Sequence, residues 1–115
     1  MKITTLFVNS LIIVLFSFNA GAGNNELIEA IKHTQKATIA DNAKDVAIHA
    51  ENAKKHANTA KTDKNINIDG QKIDMGIVFL DQAISYGEKG QTAAAKNAAA
   101  DASINFLNAS KNQFQ

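Results

Sequence analysis

Apolar residues fall into one nearly continuous run at the start of the chain and four shorter periodic segments after it. Within those segments, large apolar side chains and alanines recur at steps of three or four, the spacing of one face of an α-helix. Polar stretches rich in Asn, Asp or Gly separate the segments. The pattern predicts four helices: Glu26 to about Ile39, Ala43 to Thr62, about Gln71 to Tyr86, and Ala93 to about Asn112.

The breaks between the predicted helices carry end signals. Ala40-Asp41-Asn42 contains a capping residue for the second helix, and Thr92 can cap the fourth. Residues 63–70 are Asn- and Asp-rich and predict the central loop. Gly87 and Gly90 are both interpreted as the stop of the third helix, because glycine tolerates the left-handed conformation that follows a helix end.

The two halves of the chain align with each other. The first helix matches the third at a shift of 53 residues, and the second matches the fourth at a shift of 50. This indicates a duplication, although chance similarity between two Ala- and Lys-rich stretches is an alternative. A single hairpin leaves its apolar face in water, so two hairpins should associate. The predicted fold is all-α: an antiparallel four-helix bundle made of two tandem helical hairpins, residues 26–62 and 71–112.

Residues 1–22 have the pattern of a secretory signal peptide. A basic start is followed by the apolar run Ile3 to Phe18 and by the small residues Ala20-Gly21-Ala22. An uncleaved membrane anchor is the alternative, but the apolar core is about a dozen residues long, whereas a spanning helix needs roughly 20. We therefore expect cleavage after Ala22, a mature bundle of residues 23–115, and a periplasmic or secreted location.

The composition excludes several classes of function. Without Lys2, lysines and acidic residues balance at eleven each, and arginine is absent, so neither nucleic acid nor an anionic membrane is an expected partner. The absence of cysteine excludes disulfides and thiolate metal sites. No Gly-rich nucleophile turn accompanies the serines, so we do not expect an enzyme.

Histidine and carboxylate residues are the remaining candidate chemistry. Polar side chains form a ridge about 80° wide along the second helix, beside its alanine packing face, and the ridge is expected to be largely solvated. Its members are Asp45, His49, Asn52, His56, Thr59 and Asp63. Asp45 and His49 are four residues apart, as are Glu29 and His33 on the first helix, so each pair could share one ion.

Each such pair supplies two ligands at best, fewer than the four of a closed zinc site. His49 and His56 lie about 10.5 Å apart along the helix axis, so water or another helix must complete the coordination. The sequence leaves open whether His33 approaches the ridge. Binding should be weak and sensitive to pH, with Cu²⁺ preferred over Ni²⁺ and Zn²⁺. The alternative is that these histidines simply face water.

Two stretches resemble the small metal-binding protein family: AIKHTQKA at residues 30–37 and HAENAKKHANTAK at residues 49–61. The resemblance implies an exported four-helix bundle with histidines in repeats of the type HAxxAxxHA, which binds divalent metals, copper prominently. In the second half, Tyr86, Ala99 and Phe106 stand where His33, His49 and His56 stand in the first half. The resemblance thus places the metal ligands in the first hairpin.

The sequence predicts an exported helical protein that binds divalent metal ions weakly, copper first, and buffers or scavenges them in the cell envelope. The predicted metal ligands are His33, His49, His56, Asp45 and Glu29. The alternative is a non-catalytic structural or protein-interaction bundle that has lost metal binding and contacts a protein partner through its Ala-rich helices.

Overall fold

The computed structural model describes residues 26–64 and 68–110, so the predicted signal peptide lies outside the described residues. The described chain forms α1 (Glu26–Ile39), α2 (Ala43–Thr62), α3 (Gly70–Glu88) and α4 (Thr92–Ser110), with no strand between them. Consecutive helices pack against each other, and α1 also packs against α4. The predicted all-α four-helix bundle is confirmed. None of these helices combines the length and the apolar character needed to cross a membrane.

Side chains that cap the helices define where α2 and α3 begin. Asn42 precedes α2, and its Oδ1 accepts a hydrogen bond from the backbone N–H of Asp45 at 2.9 Å. Asp69 precedes α3 and accepts from the backbone N–H groups of Gln71 and Lys72. Each cap satisfies backbone donors that the first helical turn leaves free. The capping residue predicted before the second helix is therefore Asn42.

The two glycines near the end of α3 have different roles. Gly90 has a φ of 76° and lies just after the helix, as predicted for a stop. Gly87 lies inside α3, where an added Cβ would be 2.7 Å from the carbonyl oxygen of Ala43 and 2.8 Å from Cβ of Ala47. The prediction that Gly87 ends the helix is wrong, because this glycine instead allows α2 to approach α3 closely.

The core combines a few large side chains with many alanines. The largest apolar side chains without solvent exposure are Leu27, Val46, Ile73, Leu80 and Phe106. On α2 the buried face is formed mainly by Ala50, Ala53, Ala57 and Ala60, each fully buried. Alanine buries little area, so this face stabilises the bundle only when neighbouring helices come close.

Burial of the apolar face of α1 fixes which side chains this helix presents beside α2. Leu27, Ala30 and Ile31 are at most 3% exposed. Glu26, Glu29 and His33 occupy a neighbouring stripe about 60° wide and are half-buried. The short connection of residues 40–42 makes α2 run back alongside α1, so this stripe meets the polar ridge of α2.

Candidate metal centre

The polar ridge of α2 is covered in its middle and open at its edges. His49, Asn52 and His56 are half-buried, whereas Asp45 and Thr59 are exposed. The prediction of a largely solvated ridge is therefore wrong for the histidines, because the first helix shields part of each ring. Because the histidines of α2 are half-buried beside α1, ligands from the two helices can lie close together.

The three imidazole rings form one stack. The ring of His33 lies 5.3 Å from the ring of His56, with an angle of 7° between the planes. It lies 6.3 Å from the ring of His49, with an angle of 28°. His49 and His56 are separated by about two helical turns, and His33 reaches in from α1 to approach both. The structure thus brings His33 of α1 to the two histidines of α2, an approach that the sequence left open.

Glu29, His33 and His56 form the strongest set of candidate ligands. Each offers one ligand atom, and these atoms lie within 4.8 Å of one another. Two ligands on opposite sides of one ion are about 4 Å apart, because metal–nitrogen and metal–oxygen bonds are about 2.0–2.2 Å long. Side-chain movement of roughly 1 Å would therefore bring all three atoms onto one ion.

Two ring nitrogens of the imidazole stack have no hydrogen-bond partner among the described residues. They are Nδ1 of His33 and Nδ1 of His49, both shielded from solvent. A shielded polar atom without a hydrogen-bond partner destabilises the folded state by about 1–3 kcal/mol. Nitrogen lone pairs of neutral imidazole are also common metal ligands. The donor set therefore fits a divalent ion such as copper, nickel or zinc.

The surroundings of His33 favour the neutral form of its ring, which can bind a metal. Burial lowers the pKa of His33 from its usual value, and the charge of Lys36 lowers this pKa further. The neighbouring imidazoles of His56 and His49 act in the same direction, whereas the carboxylate of Glu29 opposes them. A lowered pKa favours neutral imidazole, which is the species that coordinates metal ions.

Glu26 is a residue of this site that the sequence reasoning missed. Its Oε1 lies 2.6 Å from Nδ1 of His56, and the two side chains are 27% and 33% exposed. When the carboxylate is ionised it can only accept, so in that form of the contact the hydrogen comes from Nδ1 of His56. The signal was present in the sequence: Glu26, Glu29 and His33 lie at i, i+3 and i+7 on one helix face.

Among the described residues, Lys32 competes for the carboxylate of Glu29. Its Oε2 lies 3.6 Å from Nζ of Lys32, and both side chains are nearly half exposed. Exposed ion pairs at this helical spacing contribute only about 0.2–0.5 kcal/mol. A divalent cation can therefore replace Lys32 at small cost.

Asp45 lies in the first turn of α2, about three helical turns before His56. Its Oδ2 is 3.2 Å from the side-chain Nδ2 of Asn42, which donates to it, while the backbone of Asp45 donates to Oδ1 of the same asparagine. Asp45 is thus engaged with the helix cap. Within the described residues, the three-membered ligand group contains neither Asp45 nor His49.

The family resemblance is confirmed by comparison with known proteins. The sequence model of the family described as small metal-binding protein matches residues 1–110, which include both hairpins and all the histidines. A search of curated proteins found no match to the chain, and a search of solved structures found none either. Since the match covers nearly the whole sequence, the chain belongs to the small metal-binding protein family.

Proposed function

We propose that the protein binds a divalent metal ion between α1 and α2, with Glu29, His33 and His56 as its protein ligands. The observation that carries this proposal is the approach of three ligand atoms from two helices to within 4.8 Å of one another. Membership of a metal-binding family supports the same role. The role is one of binding and not of catalysis.

Three protein ligands leave at least one coordination position open to water or to an exchanging ligand. The ring of His49, the remaining imidazole of the chain, lies 6.3 Å from that of His33. All of these residues are only half-buried. An open site near the surface exchanges its ion readily, which suits a protein that buffers or scavenges metal.

Copper is the preferred ion in this proposal. Two imidazoles and one carboxylate impose no rigid cage, so the ranking of divalent ions should follow their intrinsic affinities for nitrogen and oxygen ligands. That order places Cu²⁺ ahead of both Ni²⁺ and Zn²⁺. Competition between these ions for the purified protein would test the ranking.

Calorimetric titration of the mature protein with Cu²⁺ tests the binding itself. We expect saturable heat at pH 7.5 from the wild type and its loss in the variant His33→Ala/His49→Ala/His56→Ala. The matched control is Asp101→Asn, an exposed acidic position on α4, which should bind as the wild type does. A flat wild-type titration with intact helical circular dichroism would contradict the proposal and favour the structural or protein-interaction bundle.

Export to the periplasm or the exterior is part of the same proposal and rests on residues 1–22 of the sequence. Basic, apolar and small-residue segments follow one another there in the order that signal peptidase substrates show. N-terminal sequencing of the protein recovered from its host should begin at Gly23. A protein that retains Met1 or Lys2 in the cytoplasmic fraction would contradict export.

A further inference from the structure

The contact between Glu26 and His56 joins the two helices at one end of the imidazole stack. Oε1 of Glu26 lies 2.6 Å from Nδ1 of His56. Glu26 is the first residue of α1, where the helix dipole favours a negative charge. Leu27 and Ile28 follow directly and are 0% and 7% exposed, so the first turn of α1 is anchored in the core. The carboxylate is therefore held in place before any ion arrives.

This hydrogen bond determines which ring nitrogen of His56 is free. Because the ionised carboxylate accepts, the proton of the neutral ring lies on Nδ1 and the lone pair lies on Nε2. A metal-binding histidine commonly donates its other ring N–H to a carboxylate, which fixes the tautomer and the orientation of the ring. Glu26 stands in that relation to His56.

The other two histidines lack such a contact. Nδ1 of His33 and Nδ1 of His49 have no hydrogen-bond partner among the described residues. Glu29, the other carboxylate of the stripe, belongs to the ligand group, whereas Glu26 does not. The two glutamates therefore have different roles, although both are near the histidines and only three residues apart.

We propose that Glu26 is a positioning residue: it holds His56 as the Nδ1–H tautomer, so that Nε2 is directed to bind the divalent ion. This inference rests on the proposed metal function and specifies which ligand is oriented before the ion binds. His56 is oriented in advance, and Glu29 and His33 close on the ion.

Nitrogen-15 NMR of the metal-free protein tests the tautomer directly. A pH of about 8 lies above the ordinary imidazole pKa of about 6.5, and the two nitrogens of a neutral imidazole ring have distinct shifts. We expect Nδ1 of His56 to be protonated in the wild type and in Glu26→Gln, whose amide oxygen can still accept. In Glu26→Ala we expect a mixture of tautomers. A wild-type His56 protonated on Nε2 would overturn the proposal.

Metal affinity of the same variants separates positioning from direct ligation. Loss of a carboxylate that orients a ligand typically lowers metal affinity by about 10–100-fold. We expect that loss in Glu26→Ala, and a Cu²⁺ affinity within a few-fold of the wild type in Glu26→Gln. Glu51→Ala is the matched control, because Glu51 is exposed on α2 and lines a groove with Gly87 of α3.

Two results would overturn the positioning role: an unchanged affinity in Glu26→Ala, or an equal loss in Glu26→Gln and Glu26→Ala. The second result would make Glu26 a ligand itself. A wild type that holds the Nδ1–H tautomer but binds no Cu²⁺ would instead overturn the proposed metal function. In that case Glu26 would orient His56 although the protein binds no ion.

Discussion

The first and second hairpins use equivalent positions for different purposes. In the predicted alignment of the two halves, His56 of α2 matches Phe106 of α4. His56 is one-third exposed and contacts Glu26 at the start of α1. Phe106 is fully buried and lies against Gly76 near the start of α3, where an added Cβ would collide with the aromatic ring.

The equivalent positions therefore form part of the candidate site in the first hairpin and part of the core in the second. In the second hairpin, a glycine on α3 makes room for a large aromatic ring, and the burial of that ring stabilises the fold. In the first hairpin, the same part of the helix pair contains polar side chains that leave nitrogen and oxygen atoms available. One hairpin architecture thus accommodates both arrangements, and within the described residues the group of candidate metal ligands lies in the first hairpin.

The largest expected effect is on the core of the second hairpin. Phe106→Ala should lower the free energy of unfolding by about 3–5 kcal/mol, because it removes a fully buried ring and leaves a cavity. Chemical denaturation measures this change. Ile104→Ala is the control: Ile104 is 51% exposed on the same helix, and its truncation should cost about 0.5 kcal/mol or less. Equal effects would contradict the burial described for α4.

Gly76→Ala should destabilise the protein by about 1–3 kcal/mol, because the new methyl group would overlap the ring of Phe106. Gly70→Ala is the matched control, since no atom lies within 4 Å of a Cβ added there. This control should leave stability unchanged or raise it by up to about 1 kcal/mol. If the two variants had the same stability, the close approach of α3 to α4 would be wrong.

His56→Phe should make the first hairpin resemble the second. We expect Cu²⁺ affinity to fall by about tenfold or more, since a ligand is lost, while the helices remain intact. Asn58→Phe places the same ring at an exposed position of α2 away from the stack and should bind copper normally. Undiminished binding in His56→Phe would place the ion elsewhere.

The smallest expected effect is the contribution of His33 to acid sensitivity. Burial and nearby positive groups lower the pKa of His33 below its usual 6.5. Between the lowered pKa of His33 in the folded state and its ordinary pKa in the unfolded state, the unfolded chain binds more protons than the folded one. His33 therefore lowers the free energy of unfolding as the pH falls below about 6.5. Denaturation at pH 7.5 and 5.5 should show a smaller acid-induced loss in His33→Gln than in the wild type. An identical loss would contradict the lowered pKa.

Local signals predicted the helices and one of the caps. The periodic apolar positions gave α1 its observed ends at Glu26 and Ile39, and Asn42 caps α2 as its position suggested. Such features depend on neighbouring residues in the chain. Gly87 was misread because its role depends on the backbone of Ala43 in another helix.

The site was only partly predictable for the same reason. Glu29, His33 and His56 were all named from the sequence, but their convergence depends on how α1 is rotated against α2. That rotation results from tertiary packing of residues such as Leu27 and Ile31. Glu26 was not predicted because it lies seven residues before His33, whereas the predicted pair of Glu29 and His33 lies at i, i+4.

Anomalous diffraction from crystals of the mature protein grown with Cu²⁺ would locate the ion directly. The structure predicts a peak between α1 and α2, bonded to the carboxylate of Glu29 and to imidazole nitrogens of His33 and His56. A peak bonded only to groups outside this set, or no bound copper in well-ordered crystals at saturating concentration, would contradict the central claim.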